Sequence, residues 1–187
     1  VVAMGEVDFG VGSSDVGVVR YTPGGSRIYM RVVSYAGATT HTPLTHAADS
    51  DGSVYVGGAV AGFDWMAFKL NPTGATVWQE RLEDGLVREI LPLSGGRAAL
   101  FGDLDDAPTC RIIGPLGSEE AEFPIDAYGA AVTDPDGRLY VAGSEPVAGR
   151  MRLTGYAADG QILWQSTRVD DRVFPQSMLR DGEGNLY

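Results

Sequence analysis

Hydrophobic positions along the chain fall in short β-branched and aromatic runs, each closed by a cluster of Asp, Asn, Pro and Gly. That is the pattern of strands joined by tight turns. The clearest unit spans 48–82. Asp49-Ser50-Asp51-Gly52 reads as a turn, 53–59 as a strand and 65–70 as a second strand. Asn71-Pro72-Thr73-Gly74 is the next turn, because proline pre-sets φ and glycine accepts the left-handed residue that follows. The third strand, 76–82, alternates Val77, Gln79 and Arg81 with Thr76, Trp78 and Glu80. No stretch holds a helical period over about ten residues, so no long helix is expected.

The rest of the chain repeats this unit. Gly52, Gly96, Gly137 and Gly184 mark one turn, and Gly25, Gly74, Gly117 and Gly160 mark the other. Each set recurs roughly every 45 residues, the period of a propeller blade. Four residues beyond the second turn stand Tyr29, Trp78, Ala121 and Trp164, with Phe123 placed to fill the gap in the third copy. Before the first turn lie short runs of small and apolar residues, 43–48, 89–93, 129–133 and 175–179, which suit an innermost strand. The expectation is a single all-β domain, a β-propeller of four-stranded antiparallel blades with about four blade equivalents. Their bounds are 1–41, 42–85, 86–126 and 127–172, with 173–187 starting or closing a further blade.

The segments DSDGSVYVGG, DWMAFKLNPTG and VWQERL in 49–82 resemble the bacterial seven-bladed-propeller repeat family, called SBBP. A weaker likeness runs to the NHL repeat through the first turn, and to pyrroloquinoline-quinone-type repeats through Gly74/Trp78 and Gly160/Trp164. Asp15 and Asp64 match the Asp that opens the family's hairpin strand, while Thr109 and Arg150 depart from it. The resemblance implies a strand order from axis to rim: small-residue strand, Val-Tyr-Val strand, Trp-Met-Ala-Phe strand, Val-Trp-Gln strand. It places both 1–5 and 185–187 in a second strand, so that tail followed by head reads as one strand. Two arrangements fit: a cut from a longer propeller, or four blades closed by the tail. It further implies a bacterial secreted, periplasmic or cell-surface protein, and a non-enzymatic binding or scaffold module with neighbouring domains or further blades.

Composition agrees with a globular chain: 44% hydrophobic and 21% charged residues, with 26 glycines and 10 prolines. The net charge of -11 argues against nucleic acid and anionic membranes, which need basic surface. No apolar run approaches the roughly 20 residues of a membrane span, so no membrane insertion is expected. One cysteine, Cys110, allows no intrachain disulfide and reads as a small buried strand residue. Two histidines, His41 and His46, are too few for a zinc site. The opening Val-Val-Ala suggests a mature or excised segment.

Candidate chemistry gathers on the longer loops, 6–15, 34–41, 83–85, 103–108, 144–150 and 170–172, which share the end of the blades opposite the tight turns. Glu83, Asp84, Asp103, Asp105, Asp106, Asp170 and Asp171 form an acidic rim there, and His46 falls on an inner strand facing the channel. Such a rim would take a basic protein ligand or a calcium ion, and no other cofactor is expected. The alternative is a metal-assisted hydrolase or lyase, with His46 or His41 as acid/base beside those carboxylates. The Asp-x-Asp-Gly turns read as structural rather than calcium loops. Trp78 and Trp164 read as packed between blades, and Trp65 as free to stack on a carbohydrate ligand. The glycines of 5–12 open no helix and read as a flexible loop, not a phosphate cradle.

Overall fold

The computed structural model describes residues 1–8, 14–61, 63–125, 128–145, 150–169 and 175–187. These form fifteen strands and no α-helix; the one helical turn is 3-10, at Ser94–Gly96. The first sheet has three strands, β1 (Val2–Asp8), β2 (Ser14–Tyr21) and β3 (Arg27–Val33). The second is β4 (His41–Ala48), β5 (Val54–Val60), β6 (Asp64–Leu70) and β7 (Thr76–Leu82). The third is β8 (Gly85–Pro92), β9 (Ala98–Leu104), β10 (Ala107–Ile113) and β11 (Glu119–Pro124). The fourth is β12 (Ala130–Thr133), β13 (Leu139–Glu145), β14 (Arg150–Tyr156) and β15 (Ile162–Val169). Every pairing is antiparallel and joins strands consecutive in sequence, so each sheet is a meander.

All eight marker glycines have positive φ, between 82° and 95° apart from Gly96 at 76°. The period in the sequence is therefore a period of left-handed turn residues. Behind the second turn, the last strand of each sheet opens with a register shift: at Arg20/Tyr21, Lys69/Leu70, Ile112/Ile113 and Gly155/Tyr156. The first strands of the second and third sheets, β4 and β8, also shift, around Leu44 and Arg88. There the partner strand needs glycine, since a Cβ on Gly58 or Gly102 would run into the carbonyl of Thr42 or Leu86.

Three apolar clusters seal the three junctions between successive sheets. Val16, Val18, Tyr29, Val56 and Phe68 lie at the first, Tyr55, Trp65, Trp78, Val87 and Leu100 at the second, and Phe101, Cys110, Phe123, Leu139 and Tyr156 at the third. Full burial of Phe68 or Leu139 contributes about 1.5–3 kcal/mol each. At each junction an aromatic ring of one sheet lies beneath the second-turn glycine of the next. A Cβ on Gly74 would stand 2.7 Å from Tyr29, one on Gly117 2.6 Å from Trp78, and one on Gly160 2.5 Å from Phe123. Phe123 thus fills the place its copy lacks, as expected. Cations stitch the first two junctions: Arg20 donates to the Pro72 carbonyl at 3.0 Å, Arg31 to that of Gly74 at 2.7 Å, and Lys69 to that of Gly96 at 2.8 Å.

Several expectations are corrected. Trp164 is not packed between sheets: it is 39% exposed, tilted against Tyr140 on the outer side of the fourth sheet. Trp65 is fully buried at the second junction, so no carbohydrate can stack on it. Residues 5–8 belong to β1 rather than to a loop, because alternating side chains pair them with β2. Residues 175–179 form no ladder, and the tail holds one bridge, Arg180 to Leu186. Head and tail also overlap rather than run on. Val2 faces Arg20 as Tyr55 faces Lys69, while the Tyr187 hydroxyl reaches Asp181 as that of Tyr55 reaches Asp49. Val2 and Tyr187 therefore hold one register position, and Gly5 is the counterpart of Gly58.

Candidate functional site

The two kinds of tight turn share one end of the sheets, where 49–53, 71–72, 94–96 and 115–116 line a common cavity. The carboxylates there are consumed locally. Asp49 Oδ1 accepts from the Gly52 and Ser53 amides at 3.0 and 2.9 Å, and Oδ2 from the Tyr55 hydroxyl at 2.9 Å. Asp134 and Asp181 repeat this with Tyr140 and Tyr187. Hydrogen bonds from the Asn185 side chain and amide hold the Asp181 carboxyl down at about 2. The Asp-Gly turns are thus structural, with a tyrosine two residues into the next strand locking each.

The other end holds an open cleft of about 860 Å³, lined by Phe63, Asp84, Gly85, Leu86, Arg88, Asp103, Asp105 and Asp106. Asp105 and Asp106 are the two central residues of the β9–β10 hairpin, with φ of 50° and 60°. Both angles are positive, as the tightest hairpin turns require, and Asp tolerates that conformation. Asp84 also has positive φ, 54°, and its carbonyl accepts the Asp105 amide at 2.8 Å, which ties the two loops together. Arg88, at the shift in β8, pairs with Asp103 at 2.6 Å. Of the expected rim, the structure brings together Asp84, Asp103, Asp105 and Asp106. Glu83 is exposed beside the cleft without lining it. Asp170 and Asp171 lie outside the described residues.

The histidines stand apart from these carboxylates. His46 is exposed on β4, on the side that also carries Leu44, and does not line the cleft. His41 is buried as a structural residue: Nδ1 contacts the Ser14 carbonyl and Nε2 accepts the Tyr35 amide at 3.1 Å. Among the described residues no group of three or more His, Cys, Asp or Glu is arranged to hold a metal ion.

Two polar features were not singled out from the sequence. The first lies where the edge strands β4, β8 and β12 and residues 176–178 line a cavity of about 410 Å³. Glu89 on β8 accepts the Tyr128 hydroxyl at 2.5 Å and the Ala131 amide at 3.1 Å, joining the third sheet to the fourth. Burial pushes the Glu89 carboxyl above its ordinary range, the two hydrogen bonds offsetting part of this. Burial, and then the Glu89 charge, push the Tyr128 hydroxyl up. The second is Arg111, buried between the second and third sheets. It meets Glu80 at 2.6 Å, Glu122 at 2.8 Å, and Glu119. A charge beside a small apolar run is the only sequence signal for either. Burial pushes the neighbouring Cys110 thiol up, so Arg111 does not activate it.

No protein-family model and no curated protein matches the chain. Solved structures similar in fold include two of different kinds. A eukaryotic initiation factor aligns with TM-score 0.53 at 9% identity, over 93% of this chain and 44% of its own. A structure from work on two prolyl endopeptidases aligns with TM-score 0.52 at 16% identity, over 99% of this chain and 28% of its own. The chain thus spans less than half of the first and less than a third of the second, and these likenesses concern the fold alone.

Proposed function

We propose that this chain is a segment of a β-propeller, with four blade equivalents, that serves as a non-enzymatic binding or scaffold module and takes a basic segment of a partner protein at its acidic loop end. Four successive meander sheets with one junction repeated three times support the propeller. The cleft supports the function: Asp84, Asp103, Asp105 and Asp106 line it with Arg88, which pairs with Asp103, and the β9–β10 hairpin is tied by a backbone hydrogen bond to the loop that joins β7 to β8. Like charges fixed this way are relieved by a cationic partner. A side-chain cation suits the cleft better than a bare ion, because no three-ligand group is present among the described residues. The resemblance to the SBBP repeat supports a bacterial secreted, periplasmic or surface setting.

The test is fluorescence anisotropy with a labelled Lys/Arg-rich peptide. Binding should weaken steeply as salt rises, and a scrambled acidic peptide should not bind. Changing Asp103, Asp105 and Asp106 together to Asn, which also tolerates positive φ, should weaken binding at least tenfold. Unchanged affinity in that variant would remove the cleft from the proposal.

A further inference from the structure

Two strand irregularities converge on one cavity. The register shifts in β4 and β8 fall at Leu44 and Arg88, and both residues line the cavity of about 410 Å³ that also holds Glu89 and Tyr128. On a regular strand, neighbouring side chains point to opposite faces. The shifts let Leu44 with Thr45, and Arg88 with Glu89, line the same space.

Four successive units contribute the same two positions. The amides of Asp49, Leu93, Asp134 and Asp181 each donate to the carbonyl four residues on, which marks equivalent points in the four first turns. Counting back five and four residues from these points gives the pairs 44–45, 88–89, 129–130 and 176–177, and every member lines the cavity. The last two pairs are packed together, since a Cβ on Gly129 would stand 2.7 Å from the Pro175 carbonyl.

These positions build a mixed wall. The side chains of Thr45, Gln176 and Ser177 make no hydrogen bond among the described residues. Glu89 takes both of its hydrogen bonds on Oε2, which leaves Oε1 as a further acceptor. Leu44, Met178 and the Tyr128 ring are the apolar part. Arg88 and Glu89 are neighbours in the wall, so a cation there meets the guanidinium and an anion the carboxylate. A second cavity of about 410 Å³ adjoins the first and shares Arg88, Tyr128, Gly129 and Gln176 with it. Both volumes lie in the range of small-molecule sites.

We propose that this cavity binds a neutral polyhydroxylated ligand, a mono- or disaccharide. Its hydroxyls meet Thr45, Glu89, Gln176 and Ser177, its C–H face meets Leu44, Met178 and Tyr128, and the adjoining cavity takes a second ring. The site is distinct from the acidic cleft, with which it shares Arg88, and it needs no basic partner there.

Saturation-transfer NMR on the 187-residue chain tests this with glucose, galactose, mannose, N-acetylglucosamine, maltose and cellobiose at millimolar concentration. At least one should bind, and more tightly than the charged counterparts glucosamine and glucuronate. Thr45→Val with Ser177→Ala removes two hydroxyls at exposed or half-buried positions, so the variant should melt like wild type and bind about tenfold more weakly. Gln176→Leu should weaken binding on its own. No transfer to any of the six sugars overturns the proposal. So does tighter binding of glucosamine than of every neutral sugar, which would make Glu89 an amine site. Unchanged affinity in both variants would place the sugar elsewhere and overturns it too.

Discussion

The Arg111 guanidinium donates to Glu80 at 2.6 Å across the second junction, where the first junction places Phe68 and Arg31 at the equivalent positions. Breaking a buried pair strands its partner, which costs about 3–5 kcal/mol. Arg111→Met should therefore lower the unfolding free energy in urea by that amount. Arg111→Met with Glu80→Leu should recover most of it, since apolar replacement of both partners is commonly neutral or better. Equal losses in the single and double variants would show that the pair does not act as one unit.

The three tryptophans should separate by junction rather than by sequence copy. Trp78→Ala empties the space beneath Gly117, and Trp65→Ala a fully buried site, each costing about 3–5 kcal/mol. Trp164→Ala, at the equivalent position of the fourth sheet, should cost about 1 kcal/mol in dilute protein. Chemical denaturation of the three variants side by side gives the ranking. A Trp164 loss as large as that of Trp78 would mean its ring is covered in the monomer.

Glu89 sets a pH dependence of definite sign. Its folded pKa lies above the ordinary 4.5. Its contribution is therefore fully present below about that pH and is lost as pH rises through the raised value. The stability of wild type relative to Glu89→Gln should fall as pH increases across that window and then level off. Paired thermal melts read this directly, because the other carboxylates are common to both proteins. A difference that rises with pH would place a cation beside Glu89 instead.

Calcium should act on this protein as salt. Arg88 already pairs with Asp103, and Asp105 and Asp106 are placed by their hairpin rather than around a common point. Millimolar calcium and sodium chloride of matched ionic strength should shift the melting curve alike. An excess shift with calcium, lost when Asp103, Asp105 and Asp106 become Asn, would make the cleft a metal site.

Strand positions were legible because turn residues are chosen by backbone conformation: each glycine of the repeat has the positive φ that its place in the pattern requires. Trp78 and Trp164 could not be told apart by that means, since both follow the same turn and differ only in what lies across from them. The acidic cleft was legible in Asp103, Asp105 and Asp106, whose loop is short and local. Glu89 and Arg111 were not. Each is a charged residue in an inward-facing strand position, and its partners, Tyr128 and Glu80, are distant in sequence. Burial of such a pair depends on packing between sheets, which no local pattern encodes.

Because each sheet rests mainly on the sheets before and after it in chain order, cohesion in this molecule is serial. Folding free energy in such an array is close to a sum of per-unit and nearest-neighbour contributions. A substitution at one junction is then felt by the two sheets that meet there and little beyond. Cooperativity becomes a matter of how strongly neighbouring sheets couple. The ring beneath the glycine is the coupling constant of that array, written into the sequence three times.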